Sequence, residues 1–483
     1  MKKLFAIAAG VATAISVQVA PAFAQQAQNM SLVANYDDGG TYRNGTDMAF
    51  RGRTLLLGNL DQGTGPNASP PGGFRVMDIA NPAHPRELGQ FTCLGDQSDI
   101  SLWGNIVVLS VDKPTYARCG PTETDTNSNW EGIRVISLSR VPGSDPDATV
   151  AEQVERSIPA IDAALQTDCG SHTNTLYPDL ENNRLLVYVL SYPLAGRYNP
   201  VQVMPTCNPL THRKISVVEI PLDNPSAAKV LEFKPSTGST IGCHDVTVFL
   251  ELKLAAAACL TESQIWDLSK DPARPEIIAT MQNPEINIHH STSFSNDGKT
   301  LVIGDELGGA AASPGCFGEE SFPHGGLFFY DVSDPRAPEH VGSFKLPQAM
   351  ASEFCTAHLF NVVPRLDEKD VLVSSWYAGS TSVIDFTDPS NPEQVAYYIP
   401  PTTVAPDEQT KEAAAWSSYW YNGNVYANNF DEDVNSIQPQ SRGLDVFEVD
   451  HPLVNKGTVP LARLNPQLQE PYTPGKTTKR SKR

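Results

Sequence analysis

The chain has 483 residues and a formal net charge of −20 at pH 7. Nucleic acid and anionic membrane surfaces bind clustered cations, so this acidic composition excludes both as expected partners. The 39 prolines and 34 glycines favour many short strands joined by turns over long helices, and they indicate an all-β fold.

Residues 1–24 match the plan of a cleaved secretory signal. Two lysines precede an apolar run from Leu4 to Ala20, and the small-residue sequence PAFA ends at Ala24. A membrane anchor is the alternative, but the run is short for a span. We therefore expect a periplasmic or secreted protein without a membrane span. Eight cysteines on an exported chain most simply form four disulfides.

Seven segments after the signal share one pattern, in which an apolar strand ends in Asp or a substitute and a turn, commonly DP or NP, leads to a second strand. Two examples are GLFFYDVSDPRAPEHVGSF and TSVIDFTDPSNPEQVAYYI. A second hairpin lies between consecutive copies, as in HSTSFSNDGKTLVIGD. Four strands per repeat and seven repeats predict a seven-bladed β-propeller of four-stranded antiparallel blades.

The propeller is expected to span residues 25–468, with a polar, basic and disordered tail at residues 469–483. Two segments are candidates for closing the ring. SLVANYD near the start of the propeller matches an outermost strand, and we favour it over VPLARLNPQ near residue 463. The N-terminal segment would then complete the last blade.

The repeats resemble those of the LVIVD-repeat β-propellers, in which the strand is followed by DPxxP. That sequence stands here at Asp334 to Pro338 and at Asp388 to Pro392. The resemblance covers nearly all of the chain beyond the signal, although the second and seventh repeats depart from it in the turn. It implies an exported or surface-associated propeller, and it implies no particular chemistry, because propellers carry many unrelated activities.

Four consecutive repeats place a histidine at the entrance to the innermost strand. The residues aligned there, from the first repeat to the seventh, are Asp47, Asp99, His172, His244, His290, His358 and Trp416. Side chains at equivalent positions of innermost strands point towards the axis at one depth. Four imidazoles there suit iron, copper or zinc, and they argue against calcium or magnesium. The alternative is that these histidines only bond the backbone of turns.

The opposite wall of such a channel would hold Asp47, Asp99 and Trp416. Either carboxylate is a candidate catalytic proton acceptor beside a metal, and Trp416 is a candidate pocket wall. Capping of the strand entrance is an equally good explanation for both aspartates. His289 lies one residue from His290 along the strand and should point away from the axis.

Several further side chains are candidates for the surroundings of the site. Acidic residues and one histidine could orient the imidazoles through their free ring N–H groups, although solvated charge is the simpler explanation: Glu306, Glu320, His324 and Glu353. Aromatic residues could line a pocket, although packing within blades explains most of them: Trp376, Tyr377, Trp416, Tyr419 and Trp420.

The cysteines fall at two kinds of position. Four come before innermost strands and four follow the second strand of a blade, which predicts the pairs Cys93–Cys119, Cys169–Cys207, Cys243–Cys259 and Cys316–Cys355. Both positions lie at one end of an antiparallel hairpin, so the disulfides and the long loops should share one face of the propeller. Thiolate ligation of a metal is the alternative.

Two functions follow from this pattern. The first is a monomeric metal-dependent enzyme, an oxidoreductase, oxygenase or lyase that acts on a small organic substrate. Its four-histidine layout is similar to that of carotenoid-cleaving oxygenases, which hold ferrous iron, and of selenium-binding propellers, but no shared motif supports either comparison. The alternative is a non-catalytic propeller that binds a surface protein or glycan through its loops.

Overall fold

Seven four-stranded antiparallel sheets form a propeller ring in the computed structural model of this chain, which confirms the all-β prediction. The structure describes residues 25–36, 44–60, 72–93, 95, 97–115, 130–141, 160–192, 212–307, 323–348, 355–401, 403–404, 410–411, 413–431 and 443–470. No helix in these parts of the chain is both long enough and apolar enough to cross a membrane.

Two strands precede the first blade, namely β1 (Gln26–Gln28) and β2 (Met30–Tyr36). Blade one, from the axis outwards, consists of β3 (Gly45–Arg51), β4 (Thr54–Asn59), β5 (Gly73–Asp78) and β6 (Arg86–Thr92). Blade two consists of β7 (Ile100–Trp103), β8 (Ile106–Thr115), β9 (Trp130–Ser137) and β10 (Ile161–Gln166). Blade three consists of β11 (Thr173–Asp179), β12 (Arg184–Leu190), β13 (Ser216–Pro221) and β14 (Lys229–Val230).

Blades four to six repeat this plan. Blade four consists of β15 (Asp245–Phe249), β16 (Leu254–Ala258), β17 (Ser263–Asp267) and β18 (Glu276–Met281). Blade five consists of β19 (His289–Phe294), β20 (Thr300–Asp305), β21 (Leu327–Asp331) and β22 (Glu339–Phe344). Blade six consists of β23 (Phe360–Val362), β24 (Val371–Ser375), β25 (Thr381–Asp385) and β26 (Glu393–Ile399).

The remaining elements complete blade seven and reach back to the axis. A small hairpin is formed by β27 (Thr403–Val404) and β28 (Thr410–Lys411). Blade seven contains β29 (Ala413–Tyr421), β30 (Asn424–Asp431) and β31 (Leu444–Val449). A short helix, α1 (Pro452–Asn455), then leads to β32 (Arg463–Leu464) and β33 (Leu468–Gln469). Short 3-10 turns occur at Leu138–Arg140, Leu180–Asn182 and Pro225–Ala227.

The N-terminal strand closes the ring, as the sequence predicted. Strand β2 pairs antiparallel with β31, with Met30 opposite Val449 and Tyr36 opposite Leu444, so it is the outermost strand of blade seven. Strand β1 adds to the outer edge of blade six by pairing with β26. Because blade seven takes strands from both ends of the described chain, its pairing holds the ring together.

Turn chemistry explains the repeated sequence pattern. The aspartate that ends the third strand of a blade accepts a hydrogen bond from the N–H two residues later, as between Asp331 Oδ1 and the Ser333 N–H at 2.8 Å. The aspartate of the DP turn does the same, as between Asp334 and the Arg336 N–H at 3.0 Å. These are Asx turns, which fix the chain reversal before the fourth strand. These turn aspartates therefore specify the fold.

The inner strands are apolar because each sheet packs between two neighbouring blades. Strand β12 has the sequence RLLVYVL, and six of its seven residues are buried. Leu186 and Val187 point to opposite faces of that strand, and both have no exposed surface. Burial of each such side chain stabilises the fold by roughly 1.5–3 kcal/mol. This packing makes the ring a firm support for side chains that face its axis.

Residues 463–470, which we call the channel segment, cross the axis at the end where the inner strands finish. Strand β32 pairs antiparallel with β3, with Leu464 opposite Phe50. Strand β33 pairs parallel with β15, with Leu468 opposite Val248. The segment VPLARLNPQ thus lies partly inside the channel and does not form an outer strand. Gln469, the first residue of the predicted tail, is 6% exposed.

Candidate metal centre

The four histidines of the predicted column come together around the axis. Their ring centroids are 4.4 Å apart for His172 and His244, 3.7 Å for His244 and His290, and 4.5 Å for His290 and His358. The second strand of the same blade holds three of them at its end, as when the His244 N–H bonds the Ala258 carbonyl at 2.7 Å. All four are at most 5% exposed. The propeller repeat therefore places four imidazoles in one dry cluster.

Glu306 adds a carboxylate to this cluster. It follows β20 directly, and its N–H bonds the Ile288 carbonyl at 3.2 Å, at the end of the hairpin that carries His290. Its Oε2 lies 3.5 Å from His290 Nε2, and its Oε1 lies 3.8 Å from His358 Nε2. Three ligand atoms lie within 4.8 Å of one another, one from each of His244, His290 and Glu306, so this group could hold a metal ion.

Hydrogen bonds orient the outer members of the cluster. His358 Nδ1 donates to the Trp416 carbonyl, which leaves its Nε2 with a lone pair for the centre. His172 Nδ1 lies 2.7 Å from Asp112 Oδ2. The Tyr377 hydroxyl donates to Glu306 Oε1 at 2.6 Å. Carboxylate and carbonyl partners of this kind fix the tautomer and the ring orientation of ligand histidines.

His172 is the histidine whose position does not yet suit a shared metal ion. Its Nε2 lies 2.8 Å from His244 Nε2, which is a hydrogen-bond distance. Two nitrogen ligands of one tetrahedral zinc ion lie roughly 3.3 Å apart, given metal–nitrogen bonds of about 2.0–2.1 Å. As placed, His172 and His244 share a proton, and a small rotation of either ring would be needed for both to bind one ion.

Burial favours the neutral form of three of these histidines, His244, His290 and His358. It lowers the pKa of His244 and of His290 well below the usual histidine value, with neighbouring imidazoles adding to the effect. Burial likewise lowers the pKa of His358 to about 3. Burial raises the pKa of Glu306 to about 7. Neutral imidazoles are the form that binds metals, so the histidines need lose no proton at neutral pH.

Two ring nitrogens of the cluster lack a hydrogen bond of standard geometry within the described chain, Nδ1 of His244 and Nδ1 of His290. The backbone of the next histidine in the column still lies near enough to each ring to raise its pKa slightly. We take these as weak contacts, because the geometry falls outside the hydrogen-bond range. The Nδ1 side of each ring is therefore held mainly by packing.

The aspartates of the first two blades face the same space. Asp47 and Asp99 line a cavity of about 20 Å³ together with His244, His290 and His358. That volume has room for a water molecule or an ion. Burial raises the pKa of both aspartates, and the pKa of Asp99 is raised further by the charge of Asp47, to which it is hydrogen-bonded. The cavity therefore separates an imidazole wall from a carboxyl wall.

Some predicted neighbours of the site lie elsewhere. His324, a candidate to orient the imidazoles, is half-buried, and its Nδ1 lies 2.7 Å from the Glu285 carbonyl. Glu320 and Glu353 lie outside the described residues. His289 points away as expected, because its Nδ1 meets the Ser263 hydroxyl at 2.8 Å.

The predicted aromatic wall is present only in part. Trp376 and Trp420 pack inside blade cores, away from the axis. Trp416 lies edge-on to His358 at a centroid distance of 4.9 Å and lines the cavity. Tyr377 also packs on His358, with ring centroids 4.5 Å apart. Tyr419 belongs to the carboxyl wall, because its hydroxyl donates to Asp47.

One predicted disulfide is confirmed next to the centre. Cys243 and Cys259 are bonded, with an S–S distance of 1.99 Å, and they join the two ends of the hairpin that carries His244. Cys93, Cys169 and Cys355 are also disulfide-bonded. Cys119, Cys207 and Cys316 lie outside the described residues, so the other three pairs stay predictions. No cysteine sulfur in the described chain belongs to the group that could hold a metal.

Sequence reasoning missed three contributors. Glu306 was expected only to orient histidines, yet it offers a ligand atom itself. The register of the hairpin predicts this position. His289 pairs with Asp305 and points away from the axis, so Glu306, the residue after Asp305, points back towards it. The roles of Asp112 and Gln467 depend on contacts between distant segments, and no repeat marks them.

Comparisons with known proteins found only remote structural likeness. No protein-family model and no curated protein matches the chain. A protein from Lactobacillus plantarum is 11% identical, with a TM-score of 0.46 and coverage of 86% of this chain and 99% of that one. A candidate 6-phosphogluconolactonase from Bacteroides fragilis is 12% identical, with a TM-score of 0.44 and coverage of 86% and 98%. A hypothetical selenium-binding protein from Sulfolobus tokodaii is 10% identical, with a TM-score of 0.41 and coverage of 72% and 77%. These values support no functional assignment, and the LVIVD resemblance stays an expectation.

Proposed function

We propose that this protein is an exported metal-dependent enzyme with its metal ion at the axis of the propeller. The ligands are His244, His290 and Glu306, with His358 beside them and His172 able to join after a small ring rotation. The supporting observation is that these buried groups lie close together. One ligand atom from each of His244, His290 and Glu306 lies within 4.8 Å of the other two. A buried carboxylate among neutral imidazoles is destabilised unless a cation compensates for its charge.

The donor set fits a transition metal. Imidazole nitrogens with one carboxylate oxygen suit zinc, iron or copper, whereas calcium and magnesium prefer oxygen ligands. Such an ion would supply Lewis-acid polarisation or redox chemistry to a bound molecule. The partners of the ligands, Tyr377 on Glu306 and the Trp416 carbonyl on His358, fit the support that metal ligands require.

The carboxyl wall supplies a proton group opposite the ion. Asp47 and Asp99 are hydrogen-bonded to each other, and the raised pKa of each, caused first by burial, favours a proton shared between them. The proposed role of the pair is to give a proton to, or take one from, a substrate held between the two walls. The cavity of about 20 Å³ admits only the reacting end of an organic substrate. The rest of the substrate would then extend towards the loops.

Location and partners are part of the proposal. Disulfides persist in oxidising compartments, so those in this chain favour a periplasmic or secreted protein. We infer a monomer that acts on a small organic molecule as an oxidoreductase, oxygenase or lyase.

Metal analysis of protein exported by a metal-replete cell tests this proposal. We expect close to one transition-metal ion per chain, and we expect its loss in His244→Ala and in His290→Ala. His340→Ala is the matched control, because His340 is exposed on β22 and its Nε2 bonds Gly342 and Ser343 of that same strand. Metal-free wild-type protein would refute the proposal and favour a propeller that binds a protein or glycan through its loops.

A further inference from the structure

The channel segment is bonded to four blades, largely through side-chain amides. The Asn465 side chain accepts from the Leu102 N–H at 2.7 Å and donates to the Leu102 carbonyl at 2.9 Å. The Gln469 side chain makes the same pair of bonds with Phe294, at 2.9 and 2.7 Å. With β32 on blade one and β33 on blade four, these bonds imitate strand pairing around the axis. The segment is therefore a fixed floor of the channel.

Gln467 differs from the other two amides of the segment because it bonds a carboxylate. Its Nε2 lies 3.1 Å from Asp47 Oδ2, and its backbone carbonyl accepts from the Val248 N–H at 2.8 Å. Gln467 is 6% exposed and lines the cavity together with Asp47 and Asp99. Gln467 thus brings a hydrogen-bond donor to Asp47 from a residue 420 positions away in the sequence.

Hydrogen bonds indicate which aspartate of the pair carries the proton. Asp99 Oδ2 accepts from the backbone and side-chain N–H groups of Asn174, at 2.7 and 2.9 Å, so the proton of Asp99 lies on Oδ1. Asp47 accepts from its neighbour Met48, from Tyr419 and from Gln467. Both oxygens of Asp47 accept hydrogen bonds, whereas the bonds named for Asp99 use only its Oδ2, so Asp47 is the ionised partner and Asp99 donates to it.

We propose that Gln467 is a positioning residue of the catalytic pair, holding Asp47 ionised so that the shared proton stays on Asp99. This inference deepens the proposed function and rests on it for its catalytic meaning. The position of Gln467 in the channel segment supports this inference, since removal of its side chain leaves Asp47 Oδ2 without this donor. The floor would then be part of the reaction site as well as of the fold.

The charged and titratable groups around Asp47 come from three other blades. Asp99 faces it from blade two, Tyr419 from blade seven and Asp245 from blade four. Asp245 is also hydrogen-bonded to Gln467, and burial raises its own pKa to about 7. Any measurement of the pair must therefore separate Asp47 and Asp99 from Asp245.

Infrared spectroscopy of chelator-treated protein tests this inference without any metal. The C=O stretch of protonated carboxyl groups is followed against pH, and Asp99→Asn identifies the band of the pair. Gln467→Met keeps the side-chain length and removes the donor, so we expect the titration of that band to move up by about one to two pH units. Gln467→Asn, whose amide is one methylene short of Asp47, is a second variant that should shift the band in the same direction.

Gln469→Met is the matched control, since it removes an amide of the same segment that bonds only backbone. It should lower stability without moving the band. Equal titrations in wild type, Gln467→Met and Gln469→Met would overturn the inference, as would an equal shift in both variants. Because no metal is present, failure here is distinct from failure of the metal proposal.

Discussion

Replacement of Glu306 by glutamine should stabilise the metal-free protein at alkaline pH. Burial raises the pKa of this carboxyl from 4.5 to about 7. At about 1.4 kcal/mol per pH unit, the ionised group destabilises the metal-free fold by about 3 kcal/mol. Glutamine carries no charge and can still accept the hydrogen bond that Tyr377 donates.

The sign of the effect follows from the direction of the pKa shift. Because the folded-state pKa is above the unfolded value, the favourable contribution of Glu306 is fully present below pH 4.5 and is lost as the pH rises through 7. Wild type should therefore lose about 3 kcal/mol relative to Glu306→Gln between pH 4.5 and pH 8. The histidines are unchanged in the variant, so their own titration cancels in the comparison.

Denaturant unfolding in chelator at pH 5 and pH 8 measures this difference. We expect the two proteins to differ by less than about 1 kcal/mol at pH 5, and Glu306→Gln to be more stable by about 3 kcal/mol at pH 8. Added zinc should reverse this order, since binding to the folded state stabilises it. Glu251→Gln on the exposed turn after β15 is the control and should match wild type throughout. A wild type that is as stable as Glu306→Gln at pH 8 in chelator would refute the reasoning.

Three further predictions follow from the same geometry. Tyr377→Phe removes the donor to Glu306 and should weaken zinc binding about 10-fold or more by titration calorimetry at pH 7, whereas Tyr419→Phe, whose hydroxyl bonds Asp47, should not. Joint replacement of Cys243 and Cys259 by alanine opens a link between residues 16 apart and should lower the free energy of unfolding by about 3 kcal/mol, and an unchanged denaturation midpoint would contradict this. Deletion of residues 25–36 removes the outer strand of blade seven and should lower the melting temperature in a thermal scan, because β31 loses its outer partner. Equal melting temperatures would show that the ring does not need β2.

The fold could be predicted because its rules are local and repeated. Asx turns at positions such as Asp331 and Asp334 recur in successive blades, and each repeat marks one blade. The same regularity aligned the histidines, because one repeat position corresponds to one depth along the axis. Closure by β2 followed from its strand pattern and the missing fourth strand of the last repeat.

The rest of the site depends on contacts that no repeat encodes. Gln467 reaches Asp47 across 420 residues of sequence, and only the folded ring brings them together. Asp112 meets His172 from β8 of the neighbouring blade for the same reason. His324 shows the reverse case, because a residue that lies near the site in sequence bonds the Glu285 carbonyl instead. The repeat position along the chain predicts which histidines face the axis, whereas tertiary packing determines which side chains contact the axial residues.

X-ray absorption spectroscopy at the metal edge of purified protein tests the central claim most directly. The account predicts a first coordination sphere of at least two imidazole nitrogens and one carboxylate oxygen at about 2.0–2.2 Å, with the oxygen contribution lost in Glu306→Gln. A spectrum dominated by sulfur, or one that is identical in wild type and Glu306→Gln, would contradict a centre built from His244, His290 and Glu306.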